Sequence, residues 1–340
     1  MSMLSPTNGF SEATKSFSAH ETWETTSSLL RTAVIGVGYL GNFHAQKYSA
    51  IPDVRLIGVA DSNPRRAEEI ADTLGTTSYC DYRELIGMVD AVSIAVPTQF
   101  HHSVAKDFLE AGVHVLIEKP ITVTIEEADE LIDLANNRNL VFQVGHLERF
   151  NPVLMALDNI LQEPLFIESV RIAPFKPRGT DVNVVLDLMI HDIEIIQHIV
   201  KSAVERIDAI GAPVFTGEED IANARILFEN GCVANVTASR ISLKSERKMR
   251  IFQHNAYITL DFQNRKLLVA QKGSGELFPG IPNVKVDERE LGEADALLTE
   301  IESFIAAIRT HSQPQVSGRD GRMALSTALK INTSLGRRFS

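Results

Sequence analysis

This sequence predicts an α/β protein of two units: a doubly wound parallel sheet, then an α+β unit built on a large, mostly antiparallel sheet. Three observations carry that reading. The chain has 340 residues, more than one core of ordinary size holds. From Thr32 to Gly145, short β-branched runs alternate with amphipathic stretches, as in βαβ units. After Asn151-Pro152 the segments lengthen, alternate in polarity and are parted by turn residues.

In the first unit, residues 31–146, the strand-like runs are Ala33 to Val37, Arg55 to Ala60, Ala91 to Val96, His114 to Ile117 and Leu140 to Val144. Pro64 to Leu74, His102 to Ala111 and Ile125 to Asn136 have helical spacing, with Gly75 and Gly112 as C-terminal stops. Six strands and their crossover helices fit here. Residues 147–320 form the second unit. Its alternating segments are Phe166 to Pro174, Val204 to Pro213, Ile221 to Phe228, Cys232 to Ile241, Lys248 to His254, Ala256 to Phe262 and Arg265 to Ala270. Gly231, Asn255 and Asn264 supply turn chemistry between them, and a long helical pattern from Val184 to Val200 interrupts the series. A closing helix, roughly Arg322 to Leu335 within residues 321–340, is expected to pack back onto the body. Residues 1–30, rich in Ser and Thr and holding the only tryptophan, Trp23, read as a mobile extension. They lack the basic-then-apolar pattern of a secretory leader.

With 33 basic and 44 acidic residues the formal charge is −11, a field that repels nucleic acid and anionic membrane surfaces. An anionic substrate must therefore be held by local cations. Apolar runs are strand-length, too short to cross a bilayer. Cys80 and Cys232 fit neither a disulfide scaffold nor a zinc spacing, so no metal is expected and a reducing cytoplasm fits.

Gly36-Val37-Gly38-Tyr39-Leu40-Gly41 follows an apolar strand and opens a helical stretch, the context a dinucleotide fingerprint requires. Its glycines serve a tight turn, close approach of pyrophosphate, and helix-strand packing, with the helix N-terminus facing the anion. Asp61 ends the next strand, where a carboxylate binds ribose hydroxyls and repels a 2′-phosphate. The expected cofactor is NAD rather than NADP, in a Rossmann domain, with Arg65 and Arg66 exposed on the following helix. Val96-Pro97-Thr98 and Glu118-Lys119-Pro120 follow later strands whose C-terminal ends converge on the ligand crevice.

These residues resemble the Gfo/Idh/MocA oxidoreductase family, through the glycine loop with Asp61, Pro97-x-x-x-His101, Glu118-Lys119-Pro120 and Asp187-x-x-x-His191. The resemblance runs from Arg31 nearly to the end of the chain. It implies a sugar or polyol dehydrogenase in which His191 takes the hydroxyl proton, Lys119 stabilises charge on oxygen, and Asp187 orients or tunes His191 or Lys119. It also places His101 near the cofactor. Residues four apart on a helix share a face, as Asp187 and His191 would. His102 and His198 read as ordinary helix residues, and His146 as lining either the cleft or the domain junction.

The segments Gly145 to Pro152, Arg171 to Asp181 and Val185 to Asp192 are similar to a branch of that family that oxidises UDP-N-acetylglucosamine to the 3-keto sugar nucleotide. A PLP-dependent aminotransferase would then form a 3-amino sugar for lipid A or another surface glycan. Asn183-Val184-Val185 stands where many free-sugar enzymes have a glycine-rich stretch, and Asn183 is a candidate substrate contact. Arg149, Lys176 and Arg178 are the candidate diphosphate cations. A free-sugar or inositol dehydrogenase is the alternative within the family, and a non-catalytic nucleotide-sensing regulator the alternative outside enzymology. The second domain's large sheet would otherwise expose a broad face, so oligomerisation is expected, and the family resemblance implies a homodimer or homotetramer.

Overall fold

The computed structural model describes residues 29–157, 160–175 and 182–336. The N-terminal extension through residue 28, with Trp23, and the pair Lys176 and Arg178 lie outside the described residues.

Six strands form the first sheet: β1 (Leu30–Ile35), β2 (Val54–Ala60), β3 (Thr77–Tyr79), β4 (Ala91–Ile94), β5 (His114–Glu118) and β6 (Phe142–Gly145). Their order is β3-β2-β1-β4-β5-β6, every pair parallel, so the order reverses beside β1. That reversal opens the crevice into which the turns after β1, β4 and β5 project. Crossovers run through α1 (Tyr39–Ala50), α2 (Pro64–Leu74), α3 (His101–Glu110) and α4 (Ile125–Asn137). Local chemistry sets their ends. Pro64 starts α2 and Gly75 stops it in the left-handed region at φ 65°; Thr124 and Glu127 make a reciprocal capping box at the start of α4.

After a short helix, α5 (Pro152–Met155), come β7 (Pro164–Ile172), a π-helical turn at Val185–Met189 and α6 (Ile190–Val200). Then follow β8 (Val204–Ala212), β9 (Ile221–Phe228), β10 (Val233–Ser239), β11 (Glu246–Gln253), β12 (Ala256–Asp261), β13 (Lys266–Phe278) and β14 (Ile281–Glu290). The eight strands order as β14-β13-β12-β11-β7-β10-β9-β8, antiparallel except where β7 meets β10. One face packs on the π-helical turn and α6: Met189, Ile190, Ile193 and Ile196 share a core with Ile167, Ile226, Val236, Met249 and Ile258.

The chain then returns to the first unit. α7 (Ala296–Thr310), N-capped by Asp295, buries Ile301, Phe304, Ile305 and Ile308 against Val34, Ala45 and Tyr48. This apolar stripe of α7 thus packs on α1 and its strand, although it falls within the expected span 147–320 of the second unit. α8 (Gly318–Gly336) bridges both units: Leu325 joins the core of the parallel sheet, whereas Ala328, Ile331 and Leu335 join that of the antiparallel one. Gly318 and Gly321 let α8 lie against Phe142 and Val144, where a Cβ would come within 2.8 Å and 2.7 Å of their side chains.

Candidate active site

At the end of β1, Gly36 turns the chain at φ 81°, with no room for a Cβ beside the Ala95 main chain. A Cβ on Gly41 would collide with the Gly36 carbonyl oxygen, whereas one on Gly38 would meet nothing within 4 Å. The loop is closed on the protein side and open on the other. α1 has no side chain capping its N-terminus, so its first amides face outward, with Tyr39 and Leu40 exposed on that first turn. Asp61, at the end of β2, accepts from the Val37 amide and the Asn63 amide, each at 2.9 Å, and so sets the loop's shape. A cleft of about 960 Å³ follows, lined by Gly36, Gly38, Asp61, Asp81, Pro97 and Phe100. A chain with this open glycine loop, uncapped helix and carboxylate-ended strand fits a dinucleotide.

Arg66 is turned away from the cleft. Its Nε donates to the Val37 carbonyl at 2.9 Å and its Nη1 to Glu69. It is half-buried rather than exposed, since it braces the glycine loop from behind. Arg65 is exposed.

Thr98 opens the short turn that leads into α3. His101 is buried behind that turn, its Nε2 2.9 Å from the Val96 carbonyl and its Nδ1 2.8 Å from the Pro120 carbonyl. It holds the post-β4 and post-β5 turns together, and burial lowers its pKa despite the two carbonyls, which pull the other way. In the post-β5 turn, the Lys119–Pro120 peptide bond is cis. Glu118 Oε2 accepts from the Lys119 amide at 3.2 Å, and Glu118 Oε1 lies 3.0 Å from His44 Nε2.

The two units meet at Lys119, whose Nζ donates to the main-chain carbonyl of Asp187 at 2.8 Å. Asp187 lies in the π-helical turn and His191 in the first turn of α6. The wider π turn departs from the regular pitch on which the shared-face argument for Asp187 and His191 depends, and the contact observed runs from Lys119 to the Asp187 backbone. Burial, then the nearby Lys119 charge, holds the His191 ring well below the usual histidine pKa, so it is neutral. Its Nδ1 is enclosed without a hydrogen-bond partner. His146 is more deeply buried; neither of its ring nitrogens has a hydrogen-bond partner among the described residues, and burial with Lys119 and Arg149 nearby lowers its pKa to about 3.

Two of the expected substrate contacts are occupied elsewhere. Arg149 is 5% exposed and its Nη1 donates to Glu194 at 2.5 Å, so it neutralises a buried carboxylate instead of facing a diphosphate. Asn183 Oδ1 accepts from the Leu186 amide, and its Nδ2 donates to Asn332 of α8 at 3.0 Å, which organises the π turn.

Sequence reasoning missed a buried network under α6. Arg171 Nε donates to Asp192 at 2.7 Å and Arg171 Nη1 to Glu148 at 2.8 Å, fixing the residue next to His191. The alternation of β7 places Arg171 among inward-facing positions, the one available hint that it needed a buried acid.

A family model described as "Oxidoreductase family, NAD-binding Rossmann fold" matches residues 30–146, and one described as "GFO/IDH/MocA C-terminal domain" matches residues 174–259. The chain is 42% identical over 307 residues to a UDP-N-acetylglucosamine 3-dehydrogenase of Acidithiobacillus ferrooxidans, covering 90% of this chain and 97% of that one. A solved structure of the A. ferrooxidans enzyme superimposes with a TM-score of 0.86 at 42% identity, over 91% of this chain and 98% of that one. A myo-inositol 2-dehydrogenase of Thermotoga maritima is 25% identical, over 90% of this chain and 96% of its own length. Levoglucosan dehydrogenase, solved as its complex with NADH, shares the fold at a TM-score of 0.80 and 20% identity, over 91% of this chain and 97% of that one.

Proposed function

The chain belongs to the GFO/IDH/MocA oxidoreductase family, and on that premise we propose that it oxidises the 3-hydroxyl of UDP-N-acetylglucosamine to the ketone with NAD. The observation that carries the proposal is the meeting of Lys119 with the Asp187 carbonyl. It brings the turn after β5 and the start of α6, from different units, to one point beside His191. Full-length similarity at 42% identity to an enzyme named for that reaction supplies the substrate.

When bound, the nicotinamide ring supplies the hydride acceptor. His191, neutral because it is buried beside a cation, takes the hydroxyl proton. Of its ring nitrogens, Nδ1 is the enclosed one, which leaves Nε2 to meet the substrate. Lys119 places its ammonium against the oxygen on which negative charge grows, and the Asp187 carbonyl holds that ammonium in place. The Asp187 carboxylate is the group proposed to orient or tune His191 or Lys119. C3 loses a hydride and its oxygen loses a proton, so the product is a ketone and the ring is reduced.

NAD is favoured over NADP because Asp61 ends β2 while Arg66 is committed to Val37 and Glu69. Lys176 and Arg178 remain the proposed diphosphate cations. A ketone at C3 is a substrate for a PLP-dependent aminotransferase, the proposed next step. A homo-oligomer built through the open face of the eight-stranded sheet is favoured by the Phe166, Phe252 and Tyr257 rings that meet there in tilted pairs, 5.6 Å and 5.1 Å between centroids, and by Leu277, Phe278 and Val286 exposed on the β13–β14 ribbon.

The test follows reduced-nicotinamide absorbance with NAD and UDP-N-acetylglucosamine, an aminotransferase and glutamate removing the ketone. Turnover that needs the UDP-sugar and vanishes in His191→Ala supports the reading. Turnover with an inositol or free hexose but not with the UDP-sugar would discard the substrate and keep the fold and cofactor.

A further inference from the structure

Behind the Lys119 turn lies a sealed polar cluster that the proposed reaction does not use. Glu300 of α7 is fully buried, and neither of its carboxyl oxygens has a hydrogen-bond partner among the described residues. Glu118 of β5 and His44 of α1 face it; one side-chain oxygen or nitrogen from each of the three lies within 4.8 Å of the other two. His44 Nδ1 reaches Ser93 Oγ at 3.1 Å, and the Tyr48 hydroxyl reaches the same oxygen at 2.9 Å. Gln143 of β6 closes the remaining side, donating from Nε2 to the Glu300 main-chain carbonyl at 3.1 Å.

The charge balance of this cluster is constrained. Glu118 uses one oxygen on His44 and the other on the Lys119 amide, contacts that suit a carboxylate. Two ionised carboxyls this close repel strongly, and Glu300, unlike Glu118, lacks both the hydrogen bonds and the water that an anion needs. Among the described residues, the polar groups at Glu300 are His44, Tyr48, Glu118 and Gln143, and the charge that acts on it is that of Glu118. Burial and the Glu118 charge both raise the Glu300 pKa well above the ordinary carboxyl value.

We infer that Glu300 is a positioning residue: it remains a neutral carboxylic acid, leaving the single negative charge on Glu118, where it fixes the Lys119 amide against β5. An ionised Glu300 would compete for His44 and loosen Glu118 from the catalytic turn. The inference rests on the reading of Lys119 as catalytic. It makes α7, which is 180 residues further along the chain, part of the support for that turn, since Glu300 follows Lys119 by about that separation in sequence.

Glu300→Gln keeps a neutral hydrogen-bonding group of the same shape, and Glu300→Ala removes it. Infrared spectra of the purified full-length enzyme are expected to show the carbonyl band of a buried protonated acid that disappears in Glu300→Gln. Glu300→Gln is expected to keep kcat within about threefold of wild type, while Glu300→Ala lowers kcat about tenfold or more with NAD affinity within about threefold. If Glu300→Ala does not fold, the infrared band and Glu300→Gln decide. A wild-type enzyme without the band, or Glu300→Gln as impaired as Glu300→Ala, would overturn the inference. So would one equivalent of a divalent metal by elemental analysis, removed by EDTA together with activity, because a cation would then balance the pair. The infrared and metal measurements involve no turnover, so they hold even if the UDP-sugar proves not to be the substrate.

Discussion

The ammonium of Lys119 and the main-chain carbonyl of Asp187 are joined by a 2.8 Å hydrogen bond that spans the two units of the molecule. Because the partner is a backbone atom of a π-helical turn, its position is set by the fold of that turn and not by a rotamer of Asp187. Lys119→Met, which keeps the stem and removes the charge, is expected to lower kcat about 10²–10³-fold, the range seen when one oxyanion donor is lost. NAD affinity, read by fluorescence titration, should change little. An equal loss of NAD binding would mean that Lys119 serves the cofactor and not the alcohol oxygen.

His191 gives a pH prediction with a defined sign. Its folded pKa is depressed below the ordinary 6.5, so it is unprotonated and able to accept a proton throughout the neutral range. The acid limb of kcat/KM should accordingly fall below pH 6.5, and stability linked to this ring should be present above 6.5 and lost as pH falls. His191→Ala should remove that limb and lower kcat about 10²–10⁴-fold. A limb centred at or above the ordinary histidine value would show that the ring is solvated in the working enzyme.

Gly38 and Gly41 separate cofactor binding from folding. A methyl on Gly38 touches nothing in the protein, so Gly38→Ala should melt near wild type while KM for NAD rises about tenfold or more, the methyl occupying the path of the pyrophosphate. Gly41→Ala forces α1 away from Gly36 and should lower both the melting temperature and NAD binding. Equal melting losses in both variants would mean that the outer side of the loop is not open to a ligand.

Arg149 and Glu194 form a buried pair, and breaking one side leaves a charge uncompensated. Arg149→Ala should destabilise the protein by about 3–5 kcal/mol, whereas Arg149→Met with Glu194→Leu should recover most of that loss. Denaturant titration measures both. In the double variant KM for the UDP-sugar should stay within about threefold of wild type; a large increase would restore Arg149 to the diphosphate site. Neutralising Lys176 and Arg178 together is the parallel experiment for the two cations still proposed there.

What the sequence revealed depended on whether a signal was local. The glycine loop and Asp61 were readable because turn, strand end and helix start lie in adjacent segments, and most strands of both sheets were readable because one face is buried. β14 was not, since it is exposed along nearly its whole length and has no alternation to read. β3 is three residues long with none fully buried. α7 carried a readable stripe after Asp295, but its burial surface is supplied by α1, some 250 residues earlier. Arg149 was misread for the same reason: a lone basic residue looks available until the carboxylate that neutralises it, 45 residues away, is known.

The return of α7 and α8 to the parallel sheet has a consequence for synthesis and for engineering. Until residue 308 has emerged, the face of α1 and Tyr48 that awaits Phe304 is without its cover, so the cofactor domain cannot be finished while the rest of the chain is still being made. A fragment ending at residue 146 would likewise expose that face, together with the Phe142 and Val144 surface on which α8 lies. Grafting this cofactor domain onto another protein would therefore require both closing helices to be carried along, as a split module.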